Sequence, residues 1–343
     1  MNTSRALPRR FVLVPMTMFV MTADLGAQTS PSDDGALGRL RAELERFEPL
    51  SGGSMGVAAI HLETGRAVYL HADEPFPMAS TYKVPIAVQL MTRVDRGELS
   101  LSDMIEVHPE DLHPGSGTIS RLFDDPGVVL SVRNLLELML LISDNSATDL
   151  TLEAAGGGAA VTERMRALGI EGIRVDRPTS RLIADYVGVN GVPEHGRVSP
   201  EEWEALAEGL DQAARARAAE AFAHDVRDTS SPRAMAELLR MIWEGTALSA
   251  QSTETLLDVM RRVETGEGRI KGVLPPRTDV AHKTGTIGGT TNDVGIIYLP
   301  GDAGHVVTVV FVKDSEIPVE GRERAIAQAS RAIYDFFLFN PGT

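Results

Sequence analysis

Met78-Ala79-Ser80-Thr81-Tyr82-Lys83-Val84-Pro85 is the stretch from which the rest of the chain is read. Serine and lysine three positions apart share one face of a helix. The stretch follows a loop containing Pro75 and Pro77, and helical patterning runs over 81–95. Pro85 is tolerable there because it falls in about the first turn. Ser80 is thus expected at a helix N-terminus, where unpaired amides and the positive dipole end favour developing negative charge. A serine hydroxyl is a poor nucleophile until a base takes its proton. A lysine held partly neutral by burial and by a second cation is such a base. Ser80 is therefore a candidate nucleophile and Lys83 its activator. The pair alone is weak evidence, since Ser-x-x-Lys also occurs in ordinary capped helices.

Two further motifs follow in order. Ser143-Asp144-Asn145 comes after a strongly apolar segment, 135–142, that Ser131 caps. Ser143 is a candidate proton relay to a leaving nitrogen. Asn145 offers an amide to orient Lys83 and to bind a substrate amide, and Asp144 braces the loop. Lys283-Thr284-Gly285 lies in a β-rich run, 280–287. Lys283 supplies the second cation. Lys283 and Thr284 are candidates for a substrate carboxylate, and Gly285 lets a substrate approach the backbone. The amides of Ser80 and Thr286 are expected to form an oxyanion hole. A helix-capping loop and a plain strand are the bland alternatives for these two motifs. Lysine usage sharpens the reading: the chain has four lysines against twenty-nine arginines. Only lysine of the two loses its proton readily when desolvated, and two of the four lie in these motifs. His282 alternates to the strand face opposite Lys283 and is read as packing. The histidines form no metal pattern, so no metal or cofactor is expected.

Outward from the motifs, a helix is expected over 37–47, then a hairpin of strands at 55–61 and 67–71. Helical segments at 135–142, 145–155 and 160–168 follow, the last two separated by Gly156-Gly157-Gly158. Ser199-Pro200-Glu201-Glu202 is a capping box opening an alanine-rich helix. Amphipathic helices at 235–244 and 253–263 lead to strands at 280–287, 293–299 and 305–312 and a closing helix at 322–337. The order predicts a two-lobed α/β (α+β) fold. An antiparallel five-stranded sheet flanked by the terminal helices (36–78 and 270–343) stands against an all-helical lobe (79–269), with a cleft between them.

Arg5, Arg9 and Arg10 precede a short apolar run, 11–23, and the small residues Gly26 and Ala27. This is the layout of a signal peptide over 1–27, followed by a flexible linker at 28–35. A secreted, periplasmic protein is expected, with no stable membrane anchor after cleavage. The net charge of −15 argues against nucleic acid and anionic membrane surfaces as partners. The absence of cysteine excludes disulfides and thiol catalysis. A monomer is expected.

The three motifs together resemble the class A serine β-lactamases, over about 37–337 of the chain. Thr290-Thr291-Asn292-Asp293 is also similar to family sequence. The resemblance implies a β-lactamase/transpeptidase-like fold, an acyl-enzyme on Ser80, and β-lactams or D-alanyl peptides as ligands. It also implies that Arg177 and Asp228 clamp the neck of a loop. In the family that loop carries a glutamate that activates the deacylating water. Counting on from Ser143 without gaps puts Thr179 at that position, and a threonine hydroxyl is no base near neutral pH. The loop, 177–228, is also enlarged by an insertion at about 182–224. Asp185, Glu194, Glu201 and Glu202 are its candidate replacement acids. Val294 stands near a position where many relatives have an arginine for the substrate carboxylate, and Arg322 or Arg324 could serve instead. Three readings stay open: a β-lactamase-like hydrolase, a D,D-peptidase or esterase on peptidoglycan-like substrates, and a sensor that traps β-lactams.

Overall fold

The computed structural model describes residues 1–2, 31–113 and 115–340. The apolar run at 11–23 and the expected cleavage point at Ala27 lie outside them. Helix α1 (Pro31–Phe47) comes first. The expected linker is thereby corrected: residues 31–35 are helical, because a proline is well placed at a first helical position, where its missing N–H costs nothing. The strands β1 (Ser54–His61) and β2 (Ala67–Leu70) form the hairpin, with Gly65 at φ 70° in its turn. A two-residue strand β3 (Phe76–Pro77) leads into a 3-10 turn, Ala79–Tyr82, and helix α2 (Lys83–Asp95).

The middle of the chain contains β4 (Met104–Glu106), α3 (Ile119–Leu122), β5 (Val129–Ser131), α4 (Val132–Leu141), α5 (Asn145–Ala154) and α6 (Gly157–Ala167). The short β4–β5 ladder corrects the expectation of a wholly helical lobe. Ser131 caps α4 through its hydroxyl, which accepts the Asn134 N–H at 3.2 Å. The enlarged loop holds α7 (Thr179–Val187), α8 (Pro200–Ala207) and α9 (Gln212–Ala223). The Ser199–Glu202 capping box opens α8 as expected. Then come β6 (Thr229–Ser230), α10 (Pro232–Trp243) and α11 (Ala250–Arg261). Strands β7 (Val280–Ile287), β8 (Thr290–Tyr298) and β9 (His305–Lys313) and helix α12 (Val319–Phe339) complete the fold.

The five long strands form one antiparallel sheet in the order β2-β1-β9-β8-β7. Both faces are covered, which is why β9 is apolar almost throughout rather than alternating. Val306, Val310 and Val312 face a core shared with α1 and α12. Val307, Val309 and Phe311 face a second core that continues into α2, α4, α5, α10 and α11. The enlarged loop has a small core of its own, in which Ala184, Val189, Val192 and Val198 pack with Trp203 and Leu206. No described helix is long and apolar enough to cross a membrane. Strand β7 is a free sheet edge, and it lies against the Ala79–Tyr82 turn.

Candidate active site

Ser80 sits on a turn that the sheet holds in place. Ala79 has φ 46°, a left-handed conformation that costs a non-glycine residue roughly 1–3 kcal/mol. The surrounding bonds enforce it. Asn292 Nδ2 on β8 donates to Pro77 O at 2.8 Å and Met78 O at 2.9 Å. Met78 O also accepts from Thr81 Oγ1 at 2.7 Å. Gly285 allows strand and turn to meet: a Cβ there would fall 2.6 Å from Met78 O and 2.9 Å from Ser80 N. Its lack of a side chain thus serves packing against the Ser80 turn.

Lys83, one turn on, is fully buried. Its Nζ donates to Ser143 O at 2.8 Å, Ser143 Oγ at 3.0 Å and Asn145 Oδ1 at 3.3 Å. Lys283, equally buried, donates to the same Ser143 Oγ at 3.1 Å and to Thr284 O at 2.9 Å. Two amines therefore flank one hydroxyl. Burial brings the Lys83 ammonium down to about 7, against the carboxylates of Asp144 and Asp149, which oppose the shift. Burial and then the neighbouring Lys83 hold Lys283 well below the ordinary lysine value. Two adjacent ammonium groups away from water repel, so the pair favours shedding a proton.

Ser143 is itself held in the left-handed region, at φ 60°. Asp144 stabilises that bend: its carboxylate caps α5 at Ala147 N (2.9 Å) and accepts Thr118 N (2.6 Å) and Ile119 N (2.9 Å). Thr284 Oγ1 is bonded to Thr265 Oγ1 at 2.6 Å, and Thr286, exposed, accepts from Arg269 Nη2 at 2.6 Å. Arg269 was not singled out from the sequence. It is buried and also donates to Gly285 O at 3.1 Å and Asn292 O at 2.8 Å. Arg322 reaches instead the β7–β8 turn, at Gly288 O, 2.7 Å away. On the far face of β7, His282 Nδ1 meets Asp293 Oδ1 at 2.9 Å, both buried.

Thr179 opens α7 beside this cluster. Its hydroxyl bonds to the Tyr82 hydroxyl, and its N–H donates to Asp149 Oδ1 at 2.6 Å. Burial alone would raise the Asp149 carboxyl, but the bonds from His113, Ser180 N and Thr179 N outweigh it and hold Asp149 below the usual value. Arg177 and Asp228 are paired at 2.6 Å, and Arg177 also binds Asp185 at 2.7 Å and Asp225 at 3.0 Å. Asp185 is thus occupied at the neck of the loop, with Arg181 and Arg227 as further partners. Glu202 is spent in its own capping box, Glu201 is exposed on α8, and Glu194 is exposed on a surface hollow shared with Pro178 and Arg197.

A strained serine turn, two buried amines and a carboxamide at a sheet edge are the arrangement of a two-lobed serine enzyme of the penicillin-recognising class. Comparison with known proteins narrows this. Residues 39–337 match the model of the β-lactamase enzyme family. The chain is 26% identical to β-lactamase VEB-1 of Pseudomonas aeruginosa, over 96% of this chain and 98% of that protein. It is 30% identical to the carbapenem-hydrolyzing β-lactamase KPC of Klebsiella oxytoca, over 86% of this chain and 88% of the relative. An ancestral class A β-lactamase (GNCA) superposes with a TM-score of 0.70 at 33% identity, covering 86% of this chain and 99% of that one. The chain belongs to the β-lactamase enzyme family, and its fold is that of class A.

Proposed function

We propose that the protein opens β-lactam rings through an acyl-enzyme on Ser80. The observation that carries this reading is the position of Ser143 Oγ, 3.0 Å from Lys83 Nζ and 3.1 Å from Lys283 Nζ. Neutral Lys83 takes the Ser80 proton as Oγ attacks the lactam carbonyl. The carbonyl oxygen, now negative, is received by the N–H groups of Ser80 and Thr286. When the C–N bond breaks, the proton passes from Lys83 through the Ser143 hydroxyl to the leaving nitrogen. Lys83 is then neutral again. Lys283, Thr284 and Thr286 bind the substrate carboxylate, with Arg269 behind Thr286, and Asn145 binds the side-chain amide.

Hydrolysis of the ester needs a second proton transfer, from water. None of the four acids considered in the enlarged loop is bonded into the cluster. Regenerated Lys83, poised near 7, is the base that this set of residues offers. Thr179 in place of an acid favours slow deacylation, and a trapping function is the second reading. The N-terminal segment fits export, and we assign the protein to the periplasm as a monomer.

Time-resolved intact mass spectrometry with one penicillin tests the proposal. An adduct on the native protein, absent in Ser80→Ala, supports it, and its lifetime separates hydrolase from trap. Turnover of a D-Ala-D-Ala peptide, with β-lactams acting only as inhibitors, would favour the peptidase reading. No adduct and no turnover would end the idea.

A further inference from the structure

His282, read from the sequence as packing, has a partner that packing alone does not require. It lies on β7 opposite Gly295 of β8, and its imidazole Nδ1 meets Asp293 Oδ1 at 2.9 Å and Oδ2 at 3.1 Å. A Cβ on Gly295 would fall 2.6 Å from the His282 Cβ, so the glycine makes room on this face of the sheet for an imidazole. Both members of the pair are fully buried. A carboxylate removed from water needs donors, and losing one leaves it costly to bury. Among the described residues two donors reach Asp293: the imidazole Nδ1–H and the N–H of Ile270, which lies 3.1 Å from Oδ2.

Ile270 belongs to the connection between α11 and β7, and that connection ties the two lobes together beside the site. At its start Glu264 N donates to Leu141 O at 3.0 Å, two residues before Ser143. Thr265 Oγ1 then bonds to Thr284 Oγ1 at 2.6 Å. Gly266, at φ 76°, lies against the Thr284 methyl group, which would be 2.3 Å from a Cβ there. Arg269 grips Gly285 O, Asn292 O and Thr286 Oγ1. The next residue, Ile270, is the one that Asp293 and His282 hold. The groups assigned above to the substrate carboxylate are thus fixed by a connection whose last anchor is a buried pair behind β7.

We infer that His282 is a positioning residue for the substrate carboxylate: by donating to Asp293 it anchors the 264–270 connection, and so fixes Thr265 on Thr284 and Arg269 on Thr286. This rests on the Ser80 reading given above, since the carboxylate is that of the bound lactam. Without the imidazole donor, Asp293 keeps one partner for a buried charge. Its carboxyl then turns or takes up a proton, and the hold on Ile270 N is lost. Thr265 and Arg269 lose their fixed positions with it. The cost falls on substrates that carry the carboxylate.

The test compares acylation rate constants, from mass-resolved adduct formation, for a penicillin and its methyl ester. In His282→Leu, of similar bulk and without a donor, the acid-to-ester ratio falls by about fivefold or more, while the rate with the ester stays within about twofold of native. His282→Asn, whose amide nitrogen sits where Nδ1 does, keeps the native ratio. His282→Gln, whose amide lies one bond further out, loses it, and replaces the leucine variant if that one does not fold by thermal melting. Added to Arg269→Ala, His282→Leu lowers the ratio no further, because both changes act on one position. A folded loss variant with the native ratio, or with equal losses for acid and ester, overturns the inference alone and leaves His282 as packing. Absence of any adduct in the native protein overturns the Ser80 reading and this one with it.

Discussion

The carboxylate of Asp149, on α5, caps a helix thirty residues downstream: it accepts the N–H groups of Thr179 at 2.6 Å and Ser180 at 3.0 Å. These are two of the four N–H groups that α7 cannot satisfy internally. The cap fixes where α7 starts, and hence where Thr179 meets Tyr82. Asp149→Ala leaves these donors buried and unpaired. We expect a loss of about 1–3 kcal/mol in urea unfolding, with Asp149→Asn losing less because one acceptor remains.

Asp149 also bears on Lys83, since its charge favours the ammonium form. The acylation rate of the native protein is expected to rise with pH through an apparent value near 7, as Lys83 loses its proton. In Asp149→Asn that rise moves to lower pH. A pH profile of adduct formation checks both, and a shift towards higher pH would contradict the assignment of Lys83 as base.

The same group links stability to pH. Unfolded, Lys83 keeps its proton up to about 10.4, whereas folded it holds it only to about 7. Between these values the unfolded state binds more protons, so native stability rises with pH across that window. Lys83→Met has no such titration. The stability of the native protein relative to this variant is expected to increase from pH 7 to 10 and to be level below 7, as read from denaturant midpoints.

Thr179→Glu puts a carboxylate at the start of α7, facing Tyr82. A base there is expected to speed decay of the Ser80 adduct at least tenfold, followed by mass spectrometry after removal of excess β-lactam. No acceleration would place the hydrolytic water on the Lys83 side.

Arg269→Ala removes the cation behind Thr286. The expected result is a loss of preference for a free carboxylate over its methyl ester by about tenfold, measured as a ratio of kcat/KM values. That corresponds to about 1.4 kcal/mol. Arg269→Lys, which keeps the charge, is expected to retain part of the preference. An equal drop for acid and ester would mean that Arg269 only supports the strand, through Gly285 O and Asn292 O.

The sequence by itself determined the family and the frame. Ser80 and Lys83, Ser143 to Asn145 and Lys283 to Thr286 were legible because each motif is local, and β9 because an apolar run of that length has to be buried on both faces. Thr179, at the position where the resemblance leads one to expect an acid, was equally plain. What only the tertiary structure decided is nonlocal. Helix α7 was not anticipated because its cap, Asp149, sits on another helix. Arg269 carries no local signal, since its partners Gly285 O, Asn292 O, Thr286 Oγ1 and Glu323 lie on distant segments. Glu264 N meets Leu141 O across more than a hundred residues of chain. Hydrogen bonds and van der Waals contacts are short-ranged in space but indifferent to separation along the chain, so such pairings exist only once the two lobes are packed together.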